Sequence, residues 1–149
     1  MEIASTVAKR STCFRLNVGA IIVVSNRIIS MGYNGQEPGA EHCSSVCSPG
    51  ECNTIHAEVN ALQHMRGVPS SGYADLYVTD SPCMDCAIAI HKAGIRAIYY
   101  QTPYRDTAPI NVLHRRGHDV YRVTASGVVI PHHKDRAVKN GLHVPAVGL

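Results

Sequence analysis

Apolar positions along the chain alternate between short continuous runs and wider, helix-like spacings. The run from Val18 to Val24 predicts a strand that is buried on both faces. Ser25 and Asn26 follow as a two-residue turn, so the next apolar segment is expected to return as the second strand of a hairpin. The strands are predicted at residues 18–24, 27–33, 74–79, 96–100 and 119–123. The helices are predicted at residues 3–14, 55–66, 82–94 and 108–116, with Ser81 as the N-cap of the third and Pro82 at its first position.

The order of these elements predicts an α/β protein. Strands alternate with helices after the hairpin, which is typical of one mixed five-stranded sheet covered by helices on both faces. Residues 34–53, rich in Gly, Pro, Ser and Cys, are predicted to form a loop, and residues 124–149 show no clear periodicity. We therefore expect a catalytic domain over residues 1–123, with 124–149 as a tail that crosses the surface or packs on a neighbouring subunit.

Composition narrows the class of protein. The 149 residues are 45% hydrophobic and 17% charged, which is typical of one soluble globular domain. The longest apolar run is too short to span a bilayer, and residues 1–4 do not resemble a signal peptide. These features predict a cytoplasmic protein without a membrane partner. The net charge of +3, without a block of Lys or Arg, suits an anionic small molecule and does not require nucleic acid.

Two short motifs in the middle third carry the chemistry. The first is His56-Ala57-Glu58, and the second begins with Pro82 and contains Cys83 and Cys86. One imidazole and two thiolates are zinc ligands, and three protein ligands leave a position for water, as in catalytic zinc sites. Bound zinc lowers the pKa of its water to roughly 7, and Glu58 is the proton carrier that this water needs. The combination is typical of zinc-dependent nucleobase deaminases.

Helical spacing supports only part of this arrangement. Cys83 and Cys86, at i and i+3, share a face of the predicted helix at its N-terminal turn, where free N–H groups stabilise thiolates. His56 and Glu58, at i and i+2, do not face the same way on a regular helix, so the proximity of Glu58 to the metal rests on the motif. Without the second motif, a His at a helix start is more often a cap or a surface residue, and a Glu there more often interacts with the helix dipole.

Several further segments resemble one enzyme family. They are R-S-T-C-F-R at residues 10–15, V-G-A at 18–20, G-Y-N-G at 32–35, P-G at 38–39, H-C at 42–43 and P-Y-R-D at 103–106. With the zinc motifs, these segments are similar to the deoxycytidylate (dCMP) deaminase family, particularly to its bacterial and phage members. The resemblance runs from about residue 2 to 123.

The resemblance implies a three-layer α/β/α fold of the cytidine deaminase type. It implies hydrolysis of dCMP to dUMP and ammonia, which supplies dUMP for dTMP synthesis. It also implies a homo-oligomer, commonly a hexamer, activated by dCTP and inhibited by dTTP with Mg²⁺. The effector site of the family lies near the G-Y-N-G loop.

The resemblance also indicates substrate contacts. Asn34 is a candidate partner of the sugar hydroxyl, and equally a turn residue before Gly35. Arg105 and Arg15 are candidates for the 5′-phosphate, because a guanidinium binds phosphate oxygens in pairs. Tyr104 is a candidate for closing over the base or the phosphate. For Arg15 and Tyr104, an exposed surface position is an almost equal alternative.

The cysteine-rich loop offers ligands for a second, structural zinc. They are His42, Cys43, Cys47 and Cys52. This spacing matches no closed zinc pattern well, and the alternative is that Cys52 packs beside the active site.

Two other functions compete with dCMP deamination. One is deamination of another substrate on the same fold: dCTP, cytidine, guanine or a tRNA adenosine. The other is a non-catalytic, zinc-stapled binding module, in which Glu58 is dispensable and the zinc has four protein ligands.

Overall fold

The computed structural model describes residues 1–43, 45, 53–66 and 73–132. The strands are β1 (Gly19–Val24), β2 (Arg27–Tyr33), β3 (Ala74–Asp80), β4 (Ala97–Thr102), β5 (Asp119–Val123) and β6 (Val129–Pro131). The helices are α1 (Glu2–Ala8), α2 (Ala57–Gln63), α3 (Met84–Lys92) and α4 (Ala108–Arg115). Within these ranges, no helix has the length and apolar character needed to cross a bilayer.

The six strands form one mixed sheet in the order β2-β1-β3-β4-β5-β6. β1 pairs antiparallel with β2 and β3, whereas β3, β4 and β5 are parallel. Ser25 and Asn26 join β1 to β2 with φ angles of 49° and 60°, the left-handed conformation that a tight two-residue hairpin requires. Because β3 and β4 are parallel, their carboxyl ends meet at one edge, where sites form in sheets of this kind.

Helices cover both faces of the sheet, as predicted. Alternate side chains of β1, β3 and β4 pack against α2, α3 and α4 in the main core, which includes Ile22, Leu76, Ile90, Ile98 and Leu113. α1 packs on the opposite face, where Ala4 and Val7 contact Ile21.

Within the part of the chain that the structure describes, the sheet has six strands instead of the predicted five. β6 lies in the segment for which no strand was predicted, and it pairs antiparallel with β5 over Val129 to Pro131. Three residues are too few for a two-residue alternation to be recognised, and the strand forms because β5 offers it an unpaired edge.

All four helices differ in their bounds from the prediction: α2 spans Ala57–Gln63 instead of residues 55–66, and α4 ends at Arg115 instead of residue 116. α1 stops at Ala8 instead of continuing to residue 14, because the Ser11 hydroxyl accepts the amide of Cys13 in a local turn that competes with a helix. α3 begins at Met84, so Ser81 is not its N-cap and Pro82 is not its first residue. The Ser81 hydroxyl instead accepts the amide of Tyr104.

Candidate active site

His56 and Glu58 stand at the start of α2. His56 is the N-cap, with an extended backbone (φ −70°, ψ 150°), and the helix begins at Ala57. The rule that side chains at i and i+2 diverge applies to helical residues, and His56 is not one of them. Its extended conformation allows the imidazole and the Glu58 carboxyl to approach the same region.

The two cysteines occupy the equivalent position on α3. Cys83 is the extended N-cap (φ −76°, ψ 176°), and Cys86 is buried in the first turn. The Nδ1 of His56 lies 3.3 Å from Cys86 Sγ and 3.4 Å from Cys83 Sγ. The start of α2 and the start of α3 therefore bring one nitrogen and two sulfurs together.

These three side chains fit a zinc ion. Their ligand atoms all lie within 4.8 Å of one another, and within the described residues they are the one group of three or more such side chains able to hold a metal. Zinc–nitrogen bonds of about 2.0–2.1 Å and zinc–sulfur bonds of about 2.3 Å separate nitrogen from sulfur by about 3.5 Å in a tetrahedral centre. The observed separations are close to that value.

The two thiols titrate as a pair. A hydrogen bond from the Cys86 side chain lowers the pKa of Cys83 to about 4, with a further contribution from His56. The same hydrogen bond and burial raise the pKa of Cys86. His56 has a raised pKa because of its hydrogen bond with Cys83. One thiolate is thus already favoured at neutral pH, as zinc binding requires.

Glu58 is 4% exposed, which is unusual for a carboxyl group. Burial raises its pKa to about 7, and the nearby Cys83 thiolate acts in the same direction. A carboxyl group with a pKa near neutrality can both accept and return a proton at physiological pH.

Three contacts hold α2, and with it Glu58, against the sheet. The buried Ser30 hydroxyl donates to the Ala61 carbonyl at 2.6 Å, and the Asn60 amide donates to the Tyr33 carbonyl at 3.0 Å. Gly32 faces the backbone of α2 so closely that a Cβ would overlap the Ala57 oxygen and the Ala61 nitrogen. Neither Ser30 nor Asn60 was predicted to contribute to the site. The signal for Ser30 was a hydroxyl within an otherwise apolar strand.

Asn34 is 6% exposed, and its amide group bridges two backbone groups. Its Oδ1 accepts the Val18 amide at 2.8 Å, and its Nδ2 donates to the Leu16 carbonyl at 2.7 Å. Its φ is not positive, so Asn34 does not adopt the left-handed conformation that is common in Asn-Gly turns. One N–H and one lone pair of the amide group are not used by these two bonds.

Arg15 lies in the segment between α1 and β1. It is exposed and lines a groove of about 650 Å³ together with His42 and Cys43. Among the described residues that line this groove, none is one of the three metal-binding side chains. Cys47 and Cys52, the other candidates for a second zinc, lie outside the described residues.

Tyr104 and Arg105 belong to the segment between β4 and α4, at the same edge of the sheet as Cys83. Arg105 is exposed, and its guanidinium carbon lies 5.3 Å from the centre of the Tyr104 ring, within cation–π distance. The pair presents a positive charge at the carboxyl ends of the parallel strands.

The fold and the site together have the arrangement typical of zinc-dependent deaminases: a mixed sheet between helices, with a His/Cys/Cys group and a buried Glu at the starts of two helices. A sequence model of the cytidine and deoxycytidylate deaminase zinc-binding region matches residues 1–102. The chain belongs to this family, which supports Zn²⁺ as its metal.

Individual relatives agree with this assignment. ComE operon protein 2 of Bacillus subtilis is 45% identical over 105 residues, and the deoxycytidylate deaminase of Schizosaccharomyces pombe is 38% identical over 116 residues. These alignments cover 66% and 70% of this chain, but the chain spans only 55% and 36% of the length of those relatives.

A solved structure matches over most of both chains. The crystal structure of dCMP deaminase from the cyanophage S-TIM5, in complex with dCMP and dUMP, is 36% identical with a TM-score of 0.73. The match covers 81% of this chain and 91% of that chain.

Proposed function

We propose that this protein hydrolyses dCMP to dUMP and ammonia. The observation that carries the proposal is the buried Glu58, with a pKa of about 7, beside the His56, Cys83 and Cys86 group. The likeness to a phage dCMP deaminase, whose structure holds dCMP and dUMP, supports this substrate above other cytosine compounds.

We assign zinc to His56, Cys83 and Cys86. When bound there, zinc lowers the pKa of a water molecule to roughly 7. Glu58 takes a proton from the attacking water and passes it to the ring nitrogen N3 as oxygen adds to C4. Glu58 then moves the proton of the new C4 hydroxyl to the amino group. The C4–N bond breaks, ammonia leaves and the C4 carbonyl forms. The burial of Glu58 excludes bulk water from these proton transfers.

The substrate contacts form the second part of the proposal. Arg105 and Arg15 are exposed cations for the 5′-phosphate, and Tyr104 stands beside Arg105 to cover the bound nucleotide. The unused N–H and lone pair of Asn34 suit the sugar hydroxyl. The hexamer, activation by dCTP, inhibition by dTTP with Mg²⁺, the second zinc and a cytoplasmic location stay predictions.

An ultraviolet assay of the zinc-loaded protein tests the proposal. dCMP, deoxycytidine, dCTP, guanine and a tRNA fragment are compared side by side, each with and without dCTP or dTTP plus Mg²⁺ as effectors. We expect the largest kcat/KM for dCMP. Preferred turnover of another compound would overturn the substrate assignment and keep the zinc chemistry. Zinc-loaded protein that turns over none of them would favour the binding module.

A further inference from the structure

The segment between β4 and α4 is fixed at both ends by side-chain oxygens. The Ser81 Oγ accepts the amide of Tyr104 at 2.7 Å. The Asp106 Oδ1 accepts the amide of Ala108 at 2.9 Å, where α4 begins. Between these two points, the Arg105 guanidinium lies over the Tyr104 ring. The direction in which Arg105 projects is therefore set by how the backbone at Tyr104 is held.

Ser81 is itself held firmly. It is 4% exposed, and its own N–H donates to the Thr102 carbonyl at 2.9 Å. The next residue, Pro82, is fully buried and has a restricted φ, and Cys83 follows it. The N–H and the hydroxyl oxygen of Ser81 thus bond to the end of β4 and to the segment that leads to Arg105. The chain after Ser81 continues into the turn that carries Cys83.

We propose that Ser81 is a positioning residue that holds the Tyr104–Arg105 segment in register with the metal-binding turn. This inference rests on the proposed function, because it assigns the cation of Arg105 to the 5′-phosphate. Through Ser81, the site would favour a nucleoside monophosphate over the free nucleoside. The hydroxyl does this without touching the substrate, because its partner is the Tyr104 amide.

Kinetics of the Ser81→Ala variant test this role. The variant leaves the Tyr104 amide without its acceptor, so the segment loses its fixed position. We expect the KM for dCMP to rise about tenfold, the size expected for one lost buried hydrogen bond. We expect kcat to change less than about threefold and zinc content to stay at the wild-type level. The kcat/KM for deoxycytidine, which has no phosphate, should not change.

Inhibition constants for dUMP and deoxyuridine give the same comparison without turnover. Only dUMP should bind more weakly to Ser81→Ala. Thr124→Ala is the matched control, because the Thr124 hydroxyl accepts the Val128 amide at 3.0 Å in the exposed turn between β5 and β6. It should behave as the wild type in both measurements.

A double-mutant cycle with Arg105→Ala separates this role from a general structural one. If Ser81 acts through Arg105, Ser81→Ala should add almost nothing to the rise in KM once Arg105 is absent. Additive effects, equal losses with dCMP and deoxycytidine, or loss of zinc would overturn the proposal. Should Ser81→Ala fail to fold, Ser81→Thr, which keeps the oxygen but displaces it, must weaken dUMP binding and spare deoxyuridine binding. Wild-type protein that does not deaminate dCMP would instead refute the proposed function.

Discussion

The two ends of α3 use similar side chains for different purposes. At its start, Cys83 and Cys86 meet the imidazole of His56. At its end, the Nδ1 of His91 lies 2.8 Å from the Nε2 of His118. The first end holds three ligand atoms around one region, whereas the second holds two nitrogens opposite each other.

The geometry at the second end is that of a hydrogen bond. His118 Nδ1 lies 2.7 Å from the Ile95 carbonyl, which only accepts, so this nitrogen carries the proton and Nε2 accepts from His91. The ring centres are 5.1 Å apart, close to the largest separation that a 2.8 Å N···N contact allows. The two nitrogens therefore point along one line, whereas metal ligands must converge on a point. Proximity of histidines alone does not make a metal site.

The largest expected effect is at the first end. Glu58→Gln keeps the shape of the buried side chain but removes its ability to carry a proton. We expect kcat for dCMP to fall by about 10³-fold, within the range for loss of general acid–base catalysis. Zinc content, measured by atomic absorption, should match the wild type.

Glu2→Gln is the control for this change, because it makes the same substitution at an exposed position. It should retain wild-type kcat. A zinc-loaded Glu58→Gln protein with wild-type activity would refute the proton-carrier role.

The second prediction compares two glycines. Gly32→Ala places a methyl group against the backbone of α2, so either α2 or the strand must move. We expect a loss of about 3 kcal/mol in the free energy of unfolding, together with lower activity because Glu58 is displaced. Urea denaturation and the dCMP assay measure the two effects.

Gly94, just beyond the end of α3, is the matched control. A Cβ there meets nothing within 4 Å, but φ is +71°. Gly94→Ala should cost about 1–2 kcal/mol from backbone strain and leave kcat/KM unchanged. Equal losses of activity in the two variants would show that Glu58 does not depend on the contact between Gly32 and α2.

The smallest effect is expected at the histidine pair. Burial lowers the pKa of His118 below its usual value; the hydrogen bond to the Ile95 carbonyl opposes this shift, His91 and Arg116 add to it, and Asp119 opposes it slightly. Because the unfolded chain binds this proton more readily, the stability from His118 is present above the unfolded pKa of about 6.5. It is lost as the pH falls through that value towards the lower folded pKa.

Urea denaturation at pH 7.5 and pH 5 tests this direction of the pH dependence of stability, with His118→Asn compared to the wild type. The Asn side chain keeps an N–H donor for the Ile95 carbonyl but does not titrate. Between pH 7.5 and pH 5, the free energy of unfolding of the wild type should fall by a fraction of a kcal/mol more than that of the variant. A wild type that gains stability relative to the variant at pH 5 would contradict the lowered pKa.

Much of the fold was predictable from local patterns. The bounds of β2 and β5 agree with the predicted residues 27–33 and 119–123, and the hairpin turn at Ser25 and Asn26 is confirmed. Apolar alternation is a local property, so it can be read without knowledge of the partner strand. The predicted start of α3 was wrong because the Ser81 hydroxyl, which was expected to cap the helix, accepts the amide of Tyr104, 23 residues away.

The sequence by itself determined which chemistry is available: an imidazole, two thiols and a carboxyl group in an order that marks a zinc deaminase. Ligand preference is a property of each side chain and needs no fold to be recognised. Only the tertiary structure decided that His56 is extended and that Glu58 is buried with a pKa of about 7. It also decided that the Asn34 side-chain amide forms hydrogen bonds with the backbone of Leu16 and Val18. Burial and hydrogen-bond partners depend on segments far apart in the chain, which spacing along the sequence does not encode.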